Sequence, residues 1–377
     1  MHESEAMAVL VSVQGIGYAG REAALRAAGS ARALLREPGA AAASLGERRM
    51  LALRSAVQDA DRLLERLYAG GVHLIVRGSE GYPERLLRTA RPPHLLFCLG
   101  QAMLHDDKAL AIVGTRQPTA YGLRHTHAIA KGLAGAGVCV VSGLALGIDA
   151  QAHEGALAGG GRTIAVLGSA LDQMYPAANA KLMARIVEQG GSVVSEYPPG
   201  VGPTRYSFLE RNRIIAGLSQ GVLVTEGARR SGALSTVHHA LDEGREVFAL
   251  PGDVDRITAQ LPNQLIAEGA QPVSCAADVL GALTRLPVAP HAEPHKPKRP
   301  GSAAQQRTSA PDAQAAAQEP PSLEAAQILA LLAQEDMDFD RLCEQTGMDS
   351  DALGALLVML ELDGQIESLP GERYRHA

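Results

Sequence analysis

Four cysteines in 377 residues, few aromatics and no long apolar run set the first limits on this sequence. Cys98, Cys139, Cys275 and Cys343 lie far apart, with neither zinc-finger nor CxxC spacing. That excludes a recognisable metal motif and fits reduced thiols in a cytoplasm. No window reaches the roughly 18 apolar residues of a membrane span. The opening MHESEAMAVL carries two acids and no basic run, so no secretory signal is expected. GxGxxG and GxxxxGK[ST] are missing too, which disfavours a dinucleotide or nucleoside triphosphate; no cofactor and no metal are expected. Lysine is scarce, five of 35 basic residues, a bias that genome composition explains. The planar guanidinium of the remaining arginines is nevertheless the better fork for phosphate.

The length allows two or three domains. A net charge of −6 argues at first against a nucleic-acid partner, but the charge is unevenly placed. Residues 322–377 hold 12 acids and 3 Arg, a net of −9, which leaves +3 for residues 1–321. Different partners for the two parts are expected.

Composition divides the chain into four. Residues 1–70 have helical spacing, as at Leu53, Val57, Leu64 and Leu67. Residues 71–286 alternate short apolar runs with amphipathic or Gly-punctuated segments. The spacing predicts strands at Val72–Val76, Leu110–Val113, Val138–Val141, Thr163–Leu167, Ser192–Val194, Gly221–Val224 and Glu246–Ala249. Continuous apolar runs suit strands buried on both faces of a parallel sheet, hence a doubly wound α/β domain. Residues 287–321 are rich in Pro, Ala and Gln and read as a disordered linker. In residues 322–377, Leu353, Leu356, Leu357 and Leu360 share one helix face, with Asp349 or Ser350 as N-cap. A short helix at Phe339–Gln345 stops at Gly347, and Gly364–Ile366 with Tyr374 can form a wing around Pro370-Gly371. That order is a winged helix.

Three constellations bear chemistry. AIVGTRQPTAYG (111–122) runs from a buried strand through Gly114 to a helix near Tyr121, and residues 111–141 contain Arg116, Arg124 and Lys131 without an acid. Such a strand-to-helix turn faces the ligand-binding edge of an α/β sheet, although Arg116 taken alone is equally a solvated loop residue. In SGLALGIDAQAHEGAL (142–157), Ser142, Gly143 and Gly147 suit a turn that offers N–H donors to phosphate. Asp149 and His153, at i and i+4, read as a hydrogen-bonded pair orienting the helix, with no third metal ligand in reach. Residues 203–236 are the richest: Arg205, Arg211, Arg213, Arg229 and Arg230 against Glu210 and Glu226, with Tyr206 and Phe208 among them. Arginines interleaved with aromatics suit single strands, whose phosphates need neutralising and whose bases need flat partners. For Phe208 a core position is an equal alternative.

Read in order, YPERLL (82–87), AIVGTR (111–116), VSGLALGIDAQAH (141–153), TIAVLGSALDQMYP (163–176), SEYPPG (195–200), RNRIIAGLS (211–219) and EVFALPGDV (246–254) resemble the DprA/Smf family. The resemblance is strong over roughly residues 80–275 and weaker at both ends. It implies an extended Rossmann-like, doubly wound, mostly parallel sheet, a small helical N-terminal domain and a C-terminal winged helix. It also implies a cytoplasmic, non-enzymatic protein of natural transformation, a homodimer that binds and protects single-stranded DNA and helps load RecA recombinase. By motif, Gly114, Thr115 and Arg116 would hold a phosphate, with Ser142 and Gly143 beside them. Lys181, Phe208, Arg211, Asn212 and Arg213 would extend the groove, and Ser231 and Gly232 match a further glycine-containing turn.

The chain departs from the family pattern where its usual Arg is Leu146, where FPxRNR becomes FLERNR, and where VVEA becomes VTEG at 224–227. QGIGYAG (14–20) resembles the hairpin of a helix-hairpin-helix, without the flanking periodicity that would imply DNA binding there. Two other functions compete. Nucleoside-monophosphate phosphoribohydrolases of related fold use GGxGTxxE, but here the position three after Thr236 is His239, not a carboxylate. A winged-helix transcription regulator is disfavoured by the acidity of residues 322–377. That acidity predicts that the isolated 322–377 fragment forms no tight complex with duplex DNA in an anisotropy titration. A tight, salt-sensitive duplex complex would overturn this.

Overall fold

The computed structural model describes residues 1–102, 104, 108–284, 323–348, 353–354, 356–357, 360–361, 365–369 and 373–376. Among them nine short strands build the main sheet: β1 (His73–Val76), β2 (Leu95–Gly100), β3 (Ala109–Val113), β4 (Cys139–Ser142), β5 (Thr163–Leu167), β6 (Ser192–Ser195), β7 (Gly221–Val224), β8 (Glu246–Ala249) and β9 (Gln271–Pro272). Their spatial order is β1-β2-β6-β5-β4-β3-β7-β8-β9. All neighbours from β6 to β9 are parallel, whereas β2 runs antiparallel to both β1 and β6. The chain moves outward from β3 to β6, then crosses back to β7 on the other side of β3. The strand order therefore reverses between β3 and β7, where open α/β sheets take their ligands.

Every residue of β3 to β7 is buried, as the unbroken apolar runs require. Side chains alternate between the faces, so β3 serves two cores. Leu110 and Ile112 pack with α7 (Ala120–Gly135), α8 (Ile148–Ala158) and α13 (Ala276–Leu283). Ala109, Ala111 and Val113 pack with α6 (Glu84–Leu87), α10 (Arg205–Leu218), α11 (Ala233–Asp242) and α12 (Gln260–Ala267). A smaller cluster seats α9 (Ala180–Glu188) on β5 and β6 through Leu182 and Ile186. The expected strands are present within a residue or two at their ends. β2 was not expected from the sequence, although Leu95–Leu99 is an apolar run bounded by Pro93 and Gly100.

That missed strand holds the N-terminal region in place. Helices α1 (Glu3–Val11), α2 (Tyr18–Ala28), α3 (Ala31–Arg36), α4 (Ala42–Gln58) and α5 (Ala60–Ala69) share one core with Leu95 and Phe97 of β2. A polar joint reinforces it: Glu22 of α2 pairs with Arg77 at 2.5 Å and lies 2.7 Å from His94 Nε2. Tyr18 packs against the same imidazole, ring centroids 4.6 Å apart. Residues of QGIGYAG thus face the α/β region.

The described residues fall into two units, split between Leu286 and Pro287. In the second, α14 (Leu323–Leu332), α15 (Phe339–Thr346) and the helical residues Leu353, Leu356, Leu357 and Leu360 share a core with Ile328, Leu342 and Ile366. A small sheet of order β10-β12-β11 joins β10 (Met337–Asp338), β11 (Ile366–Leu369) and β12 (Arg373–His376). Asp338 caps α15 by accepting from the Arg341 N–H at 2.8 Å, and Gly347 ends it in the left-handed region at φ 69°. The wing arginines turn to protein: Arg375 bonds Asp336 at 2.7 Å. The expected linker 287–321, the N-cap at Asp349 or Ser350 and the turn at Pro370-Gly371 lie outside the described residues. Among the described residues no helix is long and apolar enough to cross a membrane.

Three imidazoles in the first unit are held neutral. Burial pushes His94 down to about 4, helped by Arg77, and His153 down to about 3, helped by Arg211. Burial, then Arg213, takes His239 to about 4. Each titrates lower folded than unfolded, so below about 6.5 the unfolded chain binds more protons and stability falls with pH. The unfolding free energy from urea titration should drop as pH falls from 6.5 to 5, by up to about 1.4 kcal/mol per pH unit for each histidine. An unfolding free energy flat across that window would contradict the buried neutral state.

Candidate nucleic-acid interface

At the carboxyl end of β3 the chain leaves the sheet through Gly114, Thr115 and Arg116, in a loop bonded on two sides. The Thr115 N–H donates to the Glu226 carbonyl at 2.7 Å, and the Thr115 carbonyl accepts from the Ile148 N–H at 3.2 Å. Gly114 is needed for that approach: a Cβ there would meet the Glu226 carbonyl oxygen at 2.6 Å and Ile148 Cγ1 at 2.7 Å. Gly147, at φ 81°, closes the other side, since a Cβ would meet the Thr115 carbonyl oxygen at 2.5 Å. The loop is rigid because its backbone is bonded, and its one exposed cation is Arg116.

The Arg116 guanidinium lies over the half-buried Phe208 ring, 5.3 Å from its centroid, a cation–π distance. Phe208 sits in the first turn of α10, which Thr204 caps by accepting from the Ser207 N–H at 3.0 Å. Gly168 makes room for the ring, because a Cβ there would meet Phe208 Cδ1 at 2.8 Å. The two readings of Phe208 thus merge into one position, packed on one side and topped by a cation on the other.

The RNR run was expected to extend the groove, and its side chains turn inward instead. Arg211 is 4% exposed and donates to the Gly143 carbonyl at 2.6 Å and to the Val166 carbonyl. Its guanidinium also lies 5.9 Å from the Phe208 centroid. Burial, together with the nearby Arg116 charge, brings Arg211 down to about 10 against the pull of Asp149, so it is charged at neutral pH. Asp149, itself buried, accepts from the Gly143 N–H at 3.1 Å. Burial raises its pKa while Arg211 opposes the rise. Arg213 pairs with Glu196 and donates to the Arg91 carbonyl at 2.7 Å. Burial works to lower its pKa, but Glu196 and Glu210 outweigh it and raise it. Asn212 accepts from Arg211 Nε at 3.1 Å and donates to the Gly232 carbonyl at 3.3 Å, which ties α10 to the Ser231–Gly232 turn.

The second constellation is committed to the interior as well. Ser142 is fully buried and donates to the Ile112 carbonyl at 2.6 Å, and the Gly143 N–H goes to Asp149. Asp149 and His153 were expected to bond each other. His153 Nδ1 instead lies 2.7 Å from Thr163 Oγ1 on β5, because the helix face that carries it packs on the sheet. Lys181 is exposed on the first turn of α9, whose preceding Asn179 donates to the Leu144 carbonyl at 2.9 Å. Arg229 and Arg230 are exposed just before Ser231, and Gly232 is exposed beside them. Leu146 is 44% exposed. The side chain of Arg205 lies outside the described residues.

Glu226 was not singled out by sequence reasoning, and it controls the switch point. Its carboxylate accepts from the Thr119 N–H at 2.8 Å, Thr119 Oγ1 at 2.6 Å and Thr258 Oγ1 at 3.2 Å. Thr119 is the N-cap of α7, the helix end on which dinucleotide folds seat a pyrophosphate. Gly122 has no Cβ to obstruct it; one there would lie 2.2 Å from Glu226 Oε2. A protein carboxylate thus takes the anion's place. Beside it a cavity of about 290 Å³ is lined by Tyr121, Thr225, Glu226, Pro251 and Arg256. The available signal was an acid directly after the buried strand, in VTEG at 224–227, but the chain alone does not place Glu226 against Thr119.

Comparison with known proteins places the chain in a family. Residues 73–284 match the model of the family described as DNA recombination-mediator protein A, and residues 311–372 match the DprA winged helix domain. The chain belongs to the DprA/Smf family. Protein Smf of Escherichia coli (strain K12) is 40% identical over 303 residues, 79% of this chain and 76% of that protein. DNA processing protein DprA of Streptococcus pneumoniae is 44% identical over 199 residues, 53% of this chain and 70% of its own. The X-ray structure of the Streptococcus pneumoniae protein superposes with a TM-score of 0.64 at 35% identity, covering 74% of this chain and 98% of that one. DNA processing protein A of Helicobacter pylori, described for its single-stranded DNA binding mode, gives a TM-score of 0.51 at 32% identity, over 57% of this chain and 96% of that chain. Within the family's glycine-rich turns, this chain gives Gly143 a packing reason: a Cβ there would lie 2.3 Å from Arg211 Nη1. Gly143→Ala should therefore destabilise the fold by about 1–3 kcal/mol in urea titration. The same change in an Arg211→Ala background should cost less, and an equal cost in both backgrounds would contradict the contact.

Proposed function

We propose that this chain binds and protects single-stranded DNA, largely independently of sequence, and promotes loading of RecA recombinase in natural transformation or recombination. It does so as a cytoplasmic homodimer and without catalysing a reaction. The observation that carries the reading is Arg116: an exposed guanidinium on a loop whose backbone is bonded in place, over an aromatic ring, at the sheet's switch point. The binding modes named for the Helicobacter pylori relative favour the same chemistry.

Of Gly114, Thr115 and Arg116, the arginine side chain meets the phosphate while the other two set its position. Lys181, Arg229 and Arg230 continue the path as exposed cations. Phosphate contacts position a strand without reading its bases, which accounts for the lack of sequence preference. Phe208 offers an aromatic edge beside the phosphate grip. Arg211, Asn212, Arg213, Ser142 and Gly143 act one layer below: Arg211 and Asn212 fix α10 against β4, β5 and the Ser231–Gly232 turn. The Glu226 carboxylate repels phosphate from the α7 end and so favours a strand lying across the edge over a dinucleotide entering it.

The test is oligo-dT binding as a function of salt. Arg116→Ala should weaken affinity for all sequences and flatten the slope of log K against log salt by about 0.7, one phosphate's share for a single strand. Unchanged affinity and slope at moderate salt would place the groove elsewhere.

A further inference from the structure

Arg116 and Lys181 sit on separate elements, the loop that leaves β3 and the first turn of α9. One stretch of backbone joins those elements, the turn 143–147 that leaves β4. On one side it braces the Arg116 loop. The Ile148 N–H donates to the Thr115 carbonyl at 3.2 Å, and a Cβ on Gly147 would meet the Arg116 carbonyl carbon at 2.8 Å. On the other side, Asn179 Nδ2 donates to the carbonyls of Leu144 and Ala145, at 2.9 and 3.2 Å. Lys181 follows Asn179 in the chain and is exposed.

Asn179 does not behave as an ordinary helix cap. It occupies the N-cap position of α9, where an Asn side chain normally accepts from an N–H of the first turn. Here it makes no such bond, is 9% exposed and gives its amide to the turn after β4. Leu144, which receives that amide, is the one non-glycine among the described residues at positive φ, 55°, a conformation costly for an L side chain. Its side chain is fully buried in a cluster that includes Leu182 and Ile186 of α9. Such a backbone persists only where its surroundings over-determine it, and it gathers at ligand clamps. The amide and part of the apolar contact that hold Leu144 thus come from the segment that carries Lys181.

We propose that Asn179 is a positioning residue for single-strand binding: it fixes the Arg116 loop relative to Lys181, so that one strand meets both cations at once. The proposal rests on the single-strand reading above. A strand held at one phosphate presents its next ones to a second cation at high effective concentration, provided the two cations keep a spacing that the strand can span. Setting that spacing in the free protein removes an ordering cost from binding. Without the Asn179 amide each cation stays on its own element, and what is lost is their joint action.

The experiment measures oligo-dT affinity against salt by fluorescence anisotropy, using the full chain. Asn179→Ser supplies an ordinary cap for α9 and so protects the fold, yet its short hydroxyl has one donor and cannot serve two carbonyls. The change removes no charge. It should nevertheless weaken binding about 3-fold or more and flatten the slope of log K against log salt by up to about 0.7, the share of one phosphate. A purely structural role would lower the amount of folded protein and leave the slope alone. Asn179→Ala, which also lacks the cap, should give the same flattened slope from whatever fraction is folded. Lys181→Ala should flatten the slope in the parent and add little in the Asn179→Ser background. A parental slope in Asn179→Ser, or an equal loss from Lys181→Ala in both backgrounds, would overturn the positioning role. Arg116→Ala separates the two readings. If it leaves affinity and slope as before, the groove itself is wrong. If Arg116→Ala and Lys181→Ala each flatten the slope while Asn179→Ser does not, only the positioning role falls.

Discussion

A full positive charge buried at the carboxyl edge of the sheet organises the rest of the site. Desolvating a guanidinium is costly unless its N–H groups are satisfied. Arg211 meets that condition with the carbonyls of Gly143, just past β4, and Val166, near the end of β5. Those contacts dictate a residue without a side chain at 143, bring Asp149 toward the same spot, and fix α10 relative to two strands. Phe208, three residues earlier on α10, is thereby placed under Arg116. The exposed cation that meets solvent is aligned by a hidden one that does not.

Glu226 applies the same economy to the opposite charge. A Rossmann-like sheet leaves an electropositive helix end at its switch point, and most such folds fill it with a ligand's phosphate. Here the chain fills it with its own carboxylate, bonded to the cap residue Thr119. The same residue's carbonyl holds the Thr115 N–H. One residue thus blocks the dinucleotide position and braces the Arg116 loop. What is left for binding is an open edge with exposed cations, a geometry suited to a polymer more than to a small enclosed ligand.

The acidic C-terminal unit obeys a separate logic. Its wing was the single basic feature of residues 322–377, and Asp336 offsets part of that charge by bonding Arg375 and lying 3.9 Å from Arg373. A winged helix with its wing cations paired inside the unit has little left with which to grip a duplex backbone.

By itself the sequence determined the class of fold, since unbroken apolar runs separated by helical segments admit few arrangements other than a doubly wound sheet. It also marked Arg116, because a strand-to-helix turn with a glycine and an arginine faces the ligand edge whatever surrounds it. β2 escaped because an antiparallel strand beside the parallel set breaks the alternation that reveals the others. The tertiary structure alone decided which arginines face water. Arg116, Arg211 and Arg213 look alike along the chain, and only packing places one on the surface and two against carbonyls and Glu196. The same holds for Asn179 and Glu226. Their partners, Leu144 and Thr119, lie 35 and 107 residues away, and no local pattern encodes a contact that the fold creates by bringing separate strand ends together.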